Sequence, residues 1–95
     1  MIERHVEFSV NYEAGEAFEI FFAQEYRPAM ACQEGFRDAH LLRDQDDCAR
    51  YQMVIRFDTL EQAAYWRASD DHRELQPRLK SLYSSSGLAV FDVVA

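Results

Sequence analysis

The change of hydrophobic period along this chain limits what it can fold into. Across Arg4–Tyr12, Val6, Phe8 and Val10 alternate with Glu7 and Ser9, the two-residue period of a half-buried strand. After a break at Gly15 the spacing becomes helical, and from Glu16 to Cys32 the residues Phe18, Phe21, Phe22, Ala29 and Cys32 fall on one face. Pro28 lacks a backbone donor, so a kink or a division is expected there, and Gly35 stands where a helix often ends on a positive φ.

Extended structure returns at Phe36–Arg43 and Arg50–Phe57, separated by the polar loop Asp44–Ala49. In the second of these strands Tyr51, Met53, Ile55 and Phe57 share a face. Asp58 or Thr59 is placed to cap the next helix, with Glu61 and Gln62 three residues on in capping-box position. That helix is expected to reach about Ala68. A second helical piece starts at Ser69 or Asp70 and bends at Pro77. Ser84–Gly87 reads as a turn, and Leu88–Val94 as a closing strand.

The order is therefore βαββαβ. Right-handed crossovers then set the first and third strands side by side in a four-stranded antiparallel sheet, with the helices on one face. The expected fold class is α+β, ferredoxin-like, and residues 1–95 are expected to form a single domain, as their number leaves no room for a second core. A composition that is 48% hydrophobic and 14% aromatic is generous for this length. The uncovered sheet face is expected to be too apolar for water, which points to a homodimer.

Seventeen acidic residues against ten basic ones give a net charge of −7, and Lys80 is the only lysine. Nucleic acid and anionic membranes demand a basic stripe that this chain lacks, so neither is an expected partner. Cys32 and Cys48 have no redox or zinc spacing and read as free thiols. No stretch approaches a membrane span and no export signal is visible, which gives a cytoplasmic expectation. Phosphate-binding loops, zinc motifs and nucleophile elbows are absent, and the Asp44, Asp46, Asp47 run lacks the Gly and Glu of a calcium loop. No cofactor and no metal are expected.

The stretch from Phe57 to His72, FDTLEQAAYWRASDDH, resembles the signature region of antibiotic-biosynthesis-monooxygenase domains: a strand-ending Phe57, a capped helix, Trp66, then Ser69 and His72 at three-residue steps. Gly35-Phe36 is similar to that family's entry into the second strand, and the resemblance covers nearly the whole chain. It implies a dimeric α/β barrel with a pocket between each sheet and its own helices. It also implies a range of activities, including oxygenation of aromatic polyketides without metal or flavin and degradation of haem. For haem the resemblance would require a histidine about ten residues after the helix Trp, where this chain has Gln76, and an Asn on the first strand, where Asn11 lies too near the end.

Each candidate residue has two readings. Trp66 can stack on a flat substrate, or anchor the core with its indole N–H bonded to backbone. His72 begins a stripe with Leu75, Leu79, Leu82 and Tyr83, and is either a general base with a burial-lowered pKa or a tie between helix and loop. Glu25 is expected at the centre of the face formed by Phe18, Phe21, Phe22 and Ala29, as a base, as a partner for groups at the Pro28 kink, or paired with an arginine. Tyr51, Phe22 and Met53 are candidate substrate contacts, and Tyr51 and His40 are alternatively ordinary strand residues. Two functions follow: a cofactor-independent monooxygenase acting on a small aromatic, quinol or polyketide-like, or a non-enzymatic ligand-binding or structural dimer.

Overall fold

The computed structural model describes residues 1–95. The strands are β1 (Ile2–Val10), β2 (Phe36–Arg43), β3 (Arg50–Phe57) and β4 (Tyr83–Asp92). The helices are α1 (Gly15–Phe21), a π-helical segment (Phe22–Tyr26), α2 (Arg27–Ala31), α3 (Leu60–Ala68) and α4 (Asp70–Ser81). The sheet order is β2-β3-β1-β4 with every neighbouring pair antiparallel. This is the ferredoxin-like α+β arrangement, with β1 and β3 at the centre.

Register explains the burial. Val6 pairs with Met53 and Phe8 with Tyr51, so the even residues of β1 and the odd residues of β3 share the face beneath the helices. On it Phe8, Met53, Ile55 and Phe57 are buried with Phe18, Phe21, Met30 and Trp66 from above. Phe8 meets Phe18 edge-on at 5.1 Å, one of several tilted aromatic contacts that tie sheet to helices. Gly35 (φ 83°) turns the chain into β2, and its carbonyl accepts from the Asp58 N–H at 2.8 Å. The Gln62 side chain lies where a Cβ on residue 35 would stand, so Gly is required there both by φ and by space.

The first helical region departs from the sequence reading in an instructive way. Its 3.6-residue spacing put Glu25, Ala29 and Cys32 on the apolar face. The π-helical turn widens the helix over Phe22–Tyr26, with the Arg27 N–H bonded five residues back to the Phe22 carbonyl, and this rotates everything after it. Phe18, Phe22, Tyr26 and Met30, at four-residue steps, are the buried series. Glu25 is displaced to the margin, and Cys32 is exposed. Pro28 sits in the first turn of α2, where no helical donor is required of it.

Two further expectations are corrected. Ser84–Gly87 is not a turn: it belongs to β4, whose Ser85, Ser86 and Gly87 pair with Ser9, Phe8 and Glu7. Four small residues can extend as an edge strand when a central strand supplies the ladder. The outer sheet face is also less apolar than expected. Glu3 bonds both His5 and Arg56, Arg50 bonds Glu7, and Gln52 meets His5 at 2.8 Å. His5 also packs on Phe91, ring centroids 4.9 Å apart. On this face the exposed large apolar side chains are Leu42 and Phe91, whereas Leu88 and Val90 of β4 pair with Val6 and Arg4 and lie on the helix side.

Candidate functional site

The helices do not close over β4, and the gap between that strand, β1 and α4 is a cavity of about 230 Å³. From the sheet come Arg4, Val6, Phe8, Met53 and Ile55, and from the helices Tyr26, Arg67, His72, Gln76 and Leu79. Tyr83 and residues 86–88 of β4 complete the wall.

Ser69 aligns the helical side of this wall. It caps α4 by accepting the His72 backbone N–H at 3.2 Å, while its hydroxyl donates to the Trp66 carbonyl at 2.7 Å. One side chain thus fixes the end of α3 against the first turn of α4. As a result the rings of Trp66 and His72 meet edge-on at 5.1 Å, and Tyr26 meets Trp66 edge-on at 5.5 Å. Trp66 is fully buried and stands behind His72 and Tyr26 rather than in the cavity lining. Its indole N–H makes no hydrogen bond of normal geometry and lies toward the Tyr26 hydroxyl, not the expected backbone carbonyl.

The His72 ring is part-buried and bonds the Gln76 amide through Nε2 at 2.9 Å. Burial lowers its pKa, and the positive charges of Arg67, Arg4 and Lys80 lower it further, so the imidazole is neutral at pH 7. The Gln76 amide can present either N–H or C=O to Nε2. With the carbonyl accepting Nε2–H, Nδ1 holds the lone pair and is the proton acceptor. Burial raises the Tyr26 hydroxyl pKa, opposed by the nearby Arg4 charge, which keeps Tyr26 a hydrogen-bond donor.

Arg4 is the residue that sequence reasoning missed. It is 7% exposed, the only charged side chain in the buried set. Desolvation and Arg67 both lower its pKa, and no carboxylate or hydrogen bond to protein compensates its charge. The signal was present: Ile2, Arg4, Val6, Phe8 and Val10 share one strand phase, which puts a guanidinium among apolar neighbours.

The structure divides the other candidates. Met53 and His72 line this cavity. Phe22 and Tyr51 line a separate surface cleft beneath α1. There the Tyr51 hydroxyl donates to Glu19 at 2.5 Å, and Arg43 joins the same carboxylate at 3.0 Å. His40 is exposed and bonds Asp38. Glu25, expected within the apolar face, forms a two-point pair with Arg78 at the surface, and the Arg78 guanidinium lies 4.9 Å over the Phe21 ring. A pair this exposed contributes little, so Glu25→Gln is expected to cost under about 1 kcal/mol in chemical denaturation and to leave ligand binding at the cavity unchanged. No group of three or more His, Cys, Asp or Glu side chains is placed to hold a metal ion, and no helix is long and apolar enough to cross a membrane.

A sequence model of the antibiotic biosynthesis monooxygenase family matches residues 1–78, and the chain belongs to that family. Among solved structures it is similar to SnoaB, a cofactor-independent oxygenase from Streptomyces nogalater, at 22% identity over 99% of this chain and 93% of that one, with a TM-score of 0.89. A candidate antibiotic biosynthesis monooxygenase from Bordetella bronchiseptica is similar at 21% identity, covering 99% and 97% of the two chains, with a TM-score of 0.89. Rv0793 from Mycobacterium tuberculosis shares 14% identity over 99% and 95%, with a TM-score of 0.83. At these identities the likeness is one of fold. No curated protein sequence matches the chain.

Proposed function

We propose that this chain is a cofactor-independent monooxygenase that oxidises a small, electron-rich aromatic in the cavity bounded by Arg4, Tyr26, His72 and Gln76. The observation that carries this reading is the juxtaposition, in one cavity, of a neutral imidazole with a buried guanidinium that has no partner in the protein. Family membership and the description of SnoaB support it.

In this scheme His72 removes a proton from a bound quinol, and the resulting anion is held by the Arg4 charge and by the Tyr26 hydroxyl. The electron-rich ring then reduces oxygen directly. Atoms balance as quinol plus O₂ giving hydroxyquinone plus water: one oxygen atom enters the ring, the other leaves as water, and the substrate supplies all four electrons. The protein contributes an apolar seat for the ring, a base and fixed positive charge.

Enzyme-dependent oxygen uptake with a panel of hydroquinones and anthrones tests the reading. Uptake above the buffer rate from at least one member is expected. No uptake from any member, with binding retained, would reduce the site to a ligand pocket. The working form in this proposal is a cytoplasmic homodimer, supported by the family rather than by the polar outer face. Light scattering at micromolar concentration is expected to give twice the monomer mass of 11.1 kDa.

A further inference from the structure

We propose that the substrate is a monocyclic aromatic acid whose carboxylate pairs with the Arg4 guanidinium. The inference rests on the cavity being the substrate site, and it adds the substrate's charge and size.

Three observations converge on it. The first is how this chain treats its other arginines. Six of the other eight, Arg37, Arg43, Arg50, Arg56, Arg73 and Arg78, pair with carboxylates of the protein, and the two that do not, Arg27 and Arg67, are exposed to water. Arg4 is 93% buried (7% exposed) and is left without such a partner. Its guanidinium is partly desolvated and opens into the cavity with no counter-charge from the protein, so an anion entering the cavity is the group that can supply one. A carboxylate is the planar, two-oxygen group that matches the guanidinium fork.

The second observation is the electrostatics of the lining. None of the residues around the cavity is acidic, whereas Arg4 and Arg67 both contribute to its wall. This occurs in a chain with seventeen acidic residues and a net charge of −7. A cationic recess on an anionic molecule concentrates anions selectively and offers no such advantage to neutral phenols.

Size is the third. A dry cavity of roughly 150 Å³ suffices for benzene, and drug-sized ligands occupy roughly 300 Å³ or more. At about 230 Å³, and open on one side, this cavity seats one substituted ring. Val6, Met53 and Leu79 supply an apolar seat for it, and His72, Tyr26 and Gln76 supply polar groups for ring hydroxyls.

The test is titration calorimetry of the full chain at pH 7.5 with 2,5-dihydroxybenzoate and with its methyl ester, which has the same ring and no charge. The acid is expected to bind at least about tenfold more tightly than the ester, and Arg4→Gln to remove that difference. Arg4 bonds to no protein group, so Arg4→Met is a second variant expected to fold with an unchanged or raised melting temperature and with the same loss of preference. Equal binding of acid and ester, an acid preference that survives both variants, or binding of neither compound would overturn the proposal. Oxygen uptake measured on the same samples separates the two claims. Acid preference without uptake retains the Arg4 anchor and removes the oxygenase. Uptake from neutral quinols by the unaltered protein, with acid and ester bound equally, retains the oxygenase and removes the anchor.

Discussion

Replacing His72 with asparagine is expected to lower enzyme-dependent oxygen uptake about 100-fold or more while the protein stays folded. A positioned general base contributes roughly 10²–10⁴-fold, and His72 is the only side chain in the cavity able to act as a neutral base near pH 7. Its Gln76 bond, its edge-on contact with Trp66 and the Ser69 cap on its own backbone N–H hold it in place. Asparagine keeps the helical position and loses the titrating ring.

The pH profile gives this prediction a sign. Burial, with Arg67, Arg4 and Lys80, places the pKa of folded His72 below its ordinary value of 6.5. The base form therefore predominates at pH 7, and the acid limb of the rate should lie at lower pH than an ordinary histidine would place it. Stability follows the same group by linkage. Between pH 6.5 and the lowered value the unfolded chain binds a proton that the folded chain does not, so stability falls as pH drops through that window. In His72→Asn both the acid limb of the rate and this part of the stability loss should vanish. An unchanged rate profile in the variant would assign the base elsewhere.

The largest effect on stability is expected at Trp66. It is fully buried, and it supports Tyr26 and His72 from behind. Trp66→Ala should cost about 3–5 kcal/mol in denaturant unfolding, the range for removing a large buried aromatic. At about 4–8 °C per kcal/mol for a domain of this size, the melting temperature should fall by roughly 12 °C or more. Trp66→Phe is a sharper comparison. The indole N–H makes no hydrogen bond of normal geometry, so phenylalanine gives up chiefly volume, and it should recover most of the stability. A loss under about 1 kcal/mol for Trp66→Ala would show that the cavity wall does not depend on it.

Strands and topology were legible in the sequence because a strand's period is rigid: with one face of β1 and β3 buried, alternation fixes both burial and register. The helix caps were legible for a similar local reason, since Thr59 accepts the Gln62 N–H at 3.1 Å as the capping-box spacing implied. Where the reading failed, a small backbone change had a long reach. A single widened turn at Phe22–Tyr26 moved Glu25 to the surface and brought Tyr26 to the cavity, and propensity carries no sign of such a turn. β4 was shortened because Ser84–Gly87 has turn-forming side chains, although the ladder to β1 overrides that preference.

The site itself was half legible. Of the candidate residues, His72 and Met53 line the cavity, whereas Phe22 and Tyr51 belong to a different cleft. Arg4 was hidden by habit rather than by physics, because arginine is read as a surface residue even when its strand phase points inward. Gln76 stood in the sequence only as the position where a haem-type histidine was missing. Its part in the site depends on the four-residue step from His72 along α4, which places the two side chains on one helical face.

The central claim is that this cavity activates oxygen with no partner except the substrate. Turnover of an accepted quinol under ¹⁸O₂, in protein stripped of metal by chelation, with product and water both examined by mass spectrometry, tests it most directly. One labelled oxygen atom in the hydroxyquinone and one in water, at a rate that collapses in His72→Asn, is the predicted result. Unlabelled product, both labelled atoms in the product, or turnover indifferent to His72 would contradict it.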